Sequence, residues 1–230
     1  MDGTDGVPHE PEVPAWRRPT EGEYRWPAAL VIALIIGMQL VEPGRLTVHP
    51  HWLLPALEGV FLAVLVVSNP ARINRASVPL RAASLALAAV ASLGNAWSLV
   101  LLIRGLIAGT EGGSAGLLLF LAATIWGTNV VVFALWYWEF DRGGPVARAH
   151  AHQPRPDFLF PQMQAPELAD RDWEPAFFDY LYVSYTNATA FSPTDTMPMS
   201  RWAKLLMLMQ SAISLVTAGL VVARAVNILR

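Results

Sequence analysis

Residues 177–198 read Phe177-Phe178-Asp179-Tyr180-Leu181-Tyr182-Val183-Ser184-Tyr185-Thr186-Asn187-Ala188-Thr189-Ala190-Phe191-Ser192-Pro193-Thr194-Asp195-Thr196-Met197-Pro198. At helical spacing Phe178, Tyr182, Tyr185 and Thr189 share one face, while Asp179, Thr186 and Asn187 supply polar groups. The stretch is too polar to face hydrocarbon on every side and too aromatic to sit in water. It suits a short helix that lies at an interface or enters a protein interior partway. The spacing predicts a helix over 177–191, read as re-entrant or interfacial in preference to a further span. Pro193 stops that helix. The hydroxyl and carboxylate side chains of Ser192, Thr194, Asp195 and Thr196 then favour a turn. Ser200 caps the next helix, with Arg201, Trp202 and Lys204 beside it.

Working outward, five apolar runs stand on either side of this stretch, at 26–41, 52–68, 82–103, 115–138 and 202–229. A crossing needs about 20 residues, and a backbone in lipid must satisfy itself internally, so each run reads as a helix. Trp26, Trp52, Trp136, Tyr137 and Trp138 stand at run ends, where interfacial aromatics belong. The whole composition agrees. Of 230 residues, 54% are hydrophobic and 15% charged, against about 25% charged in soluble domains. Mean hydropathy is +0.39. The expected fold is an all-α integral membrane protein with about five transmembrane helices plus the short helix before the last. Residues 26–230 form one helical domain, and 1–25, polar and proline-bearing, form a disordered cytoplasmic tail that lacks the basic-then-apolar pattern of a signal peptide.

Orientation follows from arginine placement, since all basic residues but Lys204 are arginine. Arg17, Arg18, Arg25, Arg72, Arg75, Arg81, Arg142, Arg148, Arg155 and Arg171 lie on one side, and Arg45 and Arg104 on the other. The positive-inside rule places the N-terminus and the long loop 139–175 in the cytoplasm. That loop holds six prolines and no helical period, so it reads as an irregular segment against the membrane face. His150 and His152 read as a solvated pair, with metal binding as the lesser alternative.

Net charge is −2 and cysteine is absent. No global basic field points to nucleic acid, and thiolate chemistry, disulfides and cysteine-ligated metals are excluded. The five histidines, at 9, 49, 51, 150 and 152, all lie outside the apolar runs. No nucleophile–base or metal constellation stands out, so no catalytic, cofactor or metal residues are expected and the chain does not read as an enzyme.

Glu58 is the one acid well inside a run. A lone carboxylate there faces a cavity or a partner; it reads as a proton or cation ligand, or as a structural group paired with Arg104 or another neighbour. Asn95, Asn129 and Gln210, with Ser211, Ser214 and Thr217, read as polar glue between helices. Ser84, Ala88, Ser92 and Ala96 form a small-residue stripe suited to close packing. The candidate polar or pore site comprises Glu58, Asn129, Asp179, Thr186, Asn187, Thr189, Thr194 and Asp195.

Two resemblances rest on the C-terminal quarter. Phe178-Asp179-Tyr180-Leu181-Tyr182-Val183-Ser184, then Thr194-Asp195, then Ala225-Val226-Asn227 resemble a bacterial family of uncharacterised multi-spanning inner-membrane proteins, which implies residence in the bacterial cytoplasmic membrane. The layout of an aromatic helix, Thr189, Asp195-Thr196-Met197-Pro198 and an apolar helix from Leu205 is similar to the pore loop and inner helix of potassium channels. Ala190, Phe191, Ser192 and Pro193 stand where the filter glycines would be, so that resemblance implies a shared architectural element, not potassium selectivity. The functional expectation is a channel- or transporter-like protein with its pore-loop-like segment at 177–198; a non-catalytic scaffold or subunit of a membrane complex is the alternative. The expected partners are the lipid bilayer, a second copy of the chain and a small ion.

Overall fold

The computed structural model describes residues 13–41, 49–74, 77–110, 115–190 and 195–228. The candidate residue Thr194, like Phe191, Ser192 and Pro193, lies outside them.

The long elements are helical: α1 (Trp26–Val41), α2 (Leu53–Ser68), α3 (Val78–Ala108), α4 (Ala115–Phe140), α7 (Phe177–Ala190) and α8 (Arg201–Ile228). Local chemistry sets their ends. α2 gives way at Asn69-Pro70, because proline cannot continue the ladder. α3 opens on Val78-Pro79, where a missing N–H costs nothing. It closes at Gly109, whose φ of 73° is the left-handed conformation of a helix C-terminus. Ser200 Oγ accepts the Ala203 amide at 3.4 Å, as the sequence indicates for the start of α8. The helices α3, α4 and α8 are long and apolar enough to cross a membrane; α1 and α2 are shorter apolar helices.

α4 is the axis of the bundle and packs on α1, α3, α7 and α8. From Val130 to Leu135 every α4 side chain is buried, as expected of a helix apolar all round. The small-residue stripe of α3 faces α4: Ala88 is buried, Ser92 accepts the Trp136 indole N–H at 2.8 Å, and Ser84 donates to the Glu139 carboxylate.

Residues 141–176 gather at one end of the bundle, which we term the basal end. They are more ordered than the proline count suggests. Arg142, Gly143 and Gly144 take φ of 52°, 83° and 95° and reverse the chain. α5 (Pro145–Ala149) comes next, then β1 (Phe158–Leu159) and α6 (Pro161–Gln164). β1 pairs antiparallel with β2 (Met197–Pro198), Phe158 opposite Pro198. Phe158, Phe160, Phe177 and Tyr180 form an aromatic layer beneath Tyr137 and Trp138. Aromatic packing, invisible to periodicity, replaces regular structure here.

The expectation of a disordered tail is corrected for residues 13–25. Ala15–Arg17 form a 3-10 turn that buries Trp16, Tyr24 bridges to Arg72, and the Arg25 amide donates to the Ala71 carbonyl at 3.1 Å. An apolar ring and a buried acid, Glu23, give this segment contacts that a solvated tail lacks.

Gly144 is required by its backbone. A methyl group there would lie 2.8 Å from the Glu139 carbonyl oxygen, at a φ of 95° that disfavours any side chain. Gly144→Ala is expected to cost about 1–3 kcal/mol, read as a lowered Tm of the purified protein. An unchanged Tm would show that the turn relaxes freely.

Candidate functional site

α7 begins at the basal end, its Phe177 ring edge-on to Trp138 at 5.7 Å. α8 begins there too: Trp202 packs on Phe140 at 5.4 Å and donates its indole N–H to Asp157. Along α7 the contacts climb α4 away from that end, to Tyr185 against Trp126 at 5.8 Å. A 14-residue helix is about 21 Å long. After it, the chain is back beside β1 by Met197. Phe177 at the start of α7 and Met197-Pro198 before α8 therefore lie at the same, basal end of the bundle.

α7 is wedged between α4 and α8, and its polar groups are consumed there. Gln210 is fully buried. Its Oε1 accepts the Tyr137 hydroxyl at 2.6 Å and Asn187 Nδ2 at 2.9 Å. Its Nε2 donates to the Ser184 carbonyl at 3.0 Å and the Ser184 hydroxyl at 2.6 Å. Ser184 donates onward to the Val130 carbonyl, Asn187 to the Met207 carbonyl at 3.0 Å, and Ser211 to Asn187 Oδ1 at 3.1 Å. Three helices are thereby tied by one connected network, in which each bond strengthens its neighbours. The sequence marks Gln210 as glue; it does not show that Tyr137 and Ser184 are its partners, because their spacing in the chain carries no pairing signal.

The predicted site residues are not brought together. Asn129 donates to Ser214 at 3.2 Å on the α4–α8 seam. Asp179 accepts the Ala176 amide at 2.8 Å and so caps the start of α7. Thr186 and Thr189 donate back to the Tyr182 and Tyr185 carbonyls within their own helix. Asp195 is exposed. Outward from the bundle α7 presents Phe178, Tyr182 and Tyr185, about half exposed, on the face the sequence indicates.

Glu58 sits apart, on α2, which packs against α1 and α3. It is fully enclosed, and Gln39 Nε2 donates to its Oε1 at 2.9 Å. Gln39, not Arg104, is its hydrogen-bond partner. Among the described residues the second carboxylate oxygen of Glu58 and the amide oxygen of Gln39 have no hydrogen-bond partner. Asn95 and Thr128, each buried within its helix, likewise hold an oxygen without one.

A second polar centre lies at the basal end, and nothing in the sequence indicates it. Arg148 and Glu23, 125 positions apart, form an ion pair at 2.9 Å with side chains only 4% and 7% exposed. The Glu23 carboxylate also accepts the Trp138 indole N–H at 2.8 Å and the Phe177 amide at 2.9 Å. Arg148 donates to the Trp138 and Asp141 carbonyls at 2.6 and 3.0 Å, which satisfies the open end of α4. Its guanidinium lies 5.0 Å from the Tyr180 ring centre, and the Tyr180 hydroxyl donates to Asp141 at 2.6 Å. Burial pushes the Glu23 carboxyl up, while Arg148, Trp138 and Phe177 pull it back. With every donor and acceptor directed inward, this centre is a structural lock joining residues 13–25, α4, α5 and α7.

His150 and His152 stack at 5.4 Å on the surface. Among the described residues no group of three or more histidine or acidic side chains is placed to hold a metal. No family model, curated protein or solved structure matches the chain.

Proposed function

We propose that the chain is a polytopic protein of the bacterial cytoplasmic membrane, similar in kind to the multi-spanning inner-membrane family its C-terminal quarter resembles. In this reading α1, α2, α3, α4 and α8 cross the bilayer, α7 is re-entrant, and the basal end with its arginines is cytoplasmic. Its role is that of a non-catalytic scaffold or subunit. One observation carries this: the polar groups of α7 that would line a pore are bonded to α4, α8 or their own backbone, while Phe178, Tyr182 and Tyr185 face outward. An aromatic face on a rigid re-entrant helix suits a partner helix in the same membrane. A photo-reactive phenylalanine at position 182 is expected to give one protein adduct of defined mass, and a dimer mass would identify a second copy of the chain. Leu93 of α3, 71% exposed, is the lipid-facing control. Adducts with lipid alone at position 182 would overturn the scaffold role.

A transport-type reading is favoured by a different observation, the enclosed Glu58–Gln39 pair with an unused oxygen on each side chain. Such a pair is complementary to a proton or a small cation. Glu58→Gln is expected to lower proton or sodium uptake into proteoliposomes by at least about tenfold while leaving Tm the same or higher, since an amide is less costly to bury than a carboxylate. Equal uptake by protein-free vesicles and both protein forms would remove the transport reading.

A further inference from the structure

A cavity of about 420 Å³ opens at the basal end, where Arg25, just before α1, meets α2, α3, α4 and α5. Its wall carries two guanidiniums, Arg25 and Arg81, and apolar surface from Leu65, Val78, Leu80 and Val146. Arg25 is only 8% exposed, and among the described residues its Nε has no hydrogen-bond partner. An unpaired buried N–H is costly, and the Arg25 side chain that carries it lines the cavity. The first turn of α3, at Ser77, Val78 and Leu80, borders the same space. Amides at the start of a 31-residue helix lack intrahelical acceptors and carry the positive end of its dipole. Glu139, the one acid in the wall, accepts from the Ser84 hydroxyl and lies in the field of Arg25 and Arg81, so it offsets part of their charge. Arg81 donates to the Gly143 and Glu139 carbonyls, which fixes its position at the rim.

The chemistry on offer is therefore two guanidiniums against one carboxylate, with a helix N-terminus beside an apolar wall. That combination recognises an anionic phosphate carrying apolar substituents. A free phosphate ion would leave the apolar part of the cavity unused. Val78, 85% exposed, stands at the opening where α3 meets its surroundings. Basic pockets between helices at the cytoplasmic face are suited to acidic lipid head groups, which are concentrated in that leaflet.

We propose that this cavity binds the head group of an acidic phospholipid, with the phosphate against Arg25, Arg81 and the first turn of α3 and the glycerol and first acyl carbons along Val78, Leu80 and Leu65. The proposal rests on the reading of the basal end as cytoplasmic. The site is separate from α7 and from Glu58, so it holds whichever of the two functional readings applies.

Native mass spectrometry of the full chain, released from micelles containing equal phosphatidylglycerol and phosphatidylcholine, tests it. One phosphatidylglycerol retained per chain, in preference to phosphatidylcholine, is expected. Arg81→Gln should weaken that retention about fivefold, the loss of one basic contact near a lipid surface. Leu80→Trp, which fills the cavity without changing charge, should abolish it. Arg155→Gln, on an exposed residue outside the cavity, should leave it unchanged. The Tm of each variant shows that it is folded. Equal retention of both lipids, or retention unaffected by both Arg81→Gln and Leu80→Trp, would overturn the proposal. Inorganic phosphate raising Tm as much as phosphatidylglycerol would overturn the lipid as its source and assign the site to a soluble anion. Membrane residence is read separately, from retention in the membrane fraction after a carbonate wash, so loss of lipid selectivity and loss of the membrane reading give different results.

Discussion

Arg148→Met is expected to destabilise the protein by about 3–5 kcal/mol, the cost of removing one partner from a buried ion pair. The substitution leaves Glu23 enclosed with only the neutral donors Trp138 Nε1 and the Phe177 amide. It also strips the Trp138 and Asp141 carbonyls of their donor at the end of α4. Four parts of the chain lose their common anchor together, so a large fall in Tm is expected, with broadening of the size-exclusion peak in mild detergent. Glu23→Gln combined with Arg148→Met should recover much of the loss, because the second change removes the stranded charge. A single variant that melts within about 1 kcal/mol of the parent would show that water reaches the pair and that the lock is not closed.

The second large effect is at Gln210. Gln210→Leu keeps the volume and removes both ends of the amide. The Tyr137 hydroxyl, fully enclosed, then loses its acceptor, while Ser184 keeps Val130 and Asn187 keeps Met207 and Ser211. An orphaned buried hydroxyl and the lost bonds between helices together cost about 2–4 kcal/mol. Tyr137→Phe on top of Gln210→Leu should restore a large part, giving a coupling well above the scatter of independent sites. The readout specific to α7 is cysteine labelling, available because the parent chain has no cysteine. Val183→Cys, on a buried position, should resist labelling in the parent and react readily in Gln210→Leu. Unchanged protection would mean that apolar packing alone seats α7.

The helices were legible because each is punctuated locally. The runs at 52–68 and 202–229 coincide closely with α2 and α8, whereas α3 (Val78–Ala108) extends four and five residues beyond the run at 82–103. The outward face of α7 was legible for the same reason, since a helical period in Phe178, Tyr182 and Tyr185 is a property of neighbours in sequence. The candidate site was less so. Asp179, Thr186 and Thr189 are polar residues in an aromatic stretch between apolar runs, which reads as a lining, yet each bonds to nearby backbone. A hydroxyl that folds back on its own helix cannot be told from one facing a pore by sequence alone.

The sequence by itself determined what acts over short range: a mostly helical, strongly apolar chain, the positions of its long helices, and the asymmetry of its arginines. Tertiary structure alone decided which polar groups meet. Glu23 and Arg148 are far apart in a proline-rich background without period, and only the reversal at Arg142–Gly144 and the packing of Trp16 bring them together. Glu58 was visible as an acid in an apolar run, but its partner Gln39, and the oxygens left unused, result from how α1 and α2 pack. For residues 177–198 the sequence supplied the mixed polarity. Only tertiary packing put Phe177 against Trp138 and Pro198 opposite Phe158 at the same end of the bundle. Pairing between distant segments is chosen by the global minimum of packing and hydrogen bonding, which no local window contains.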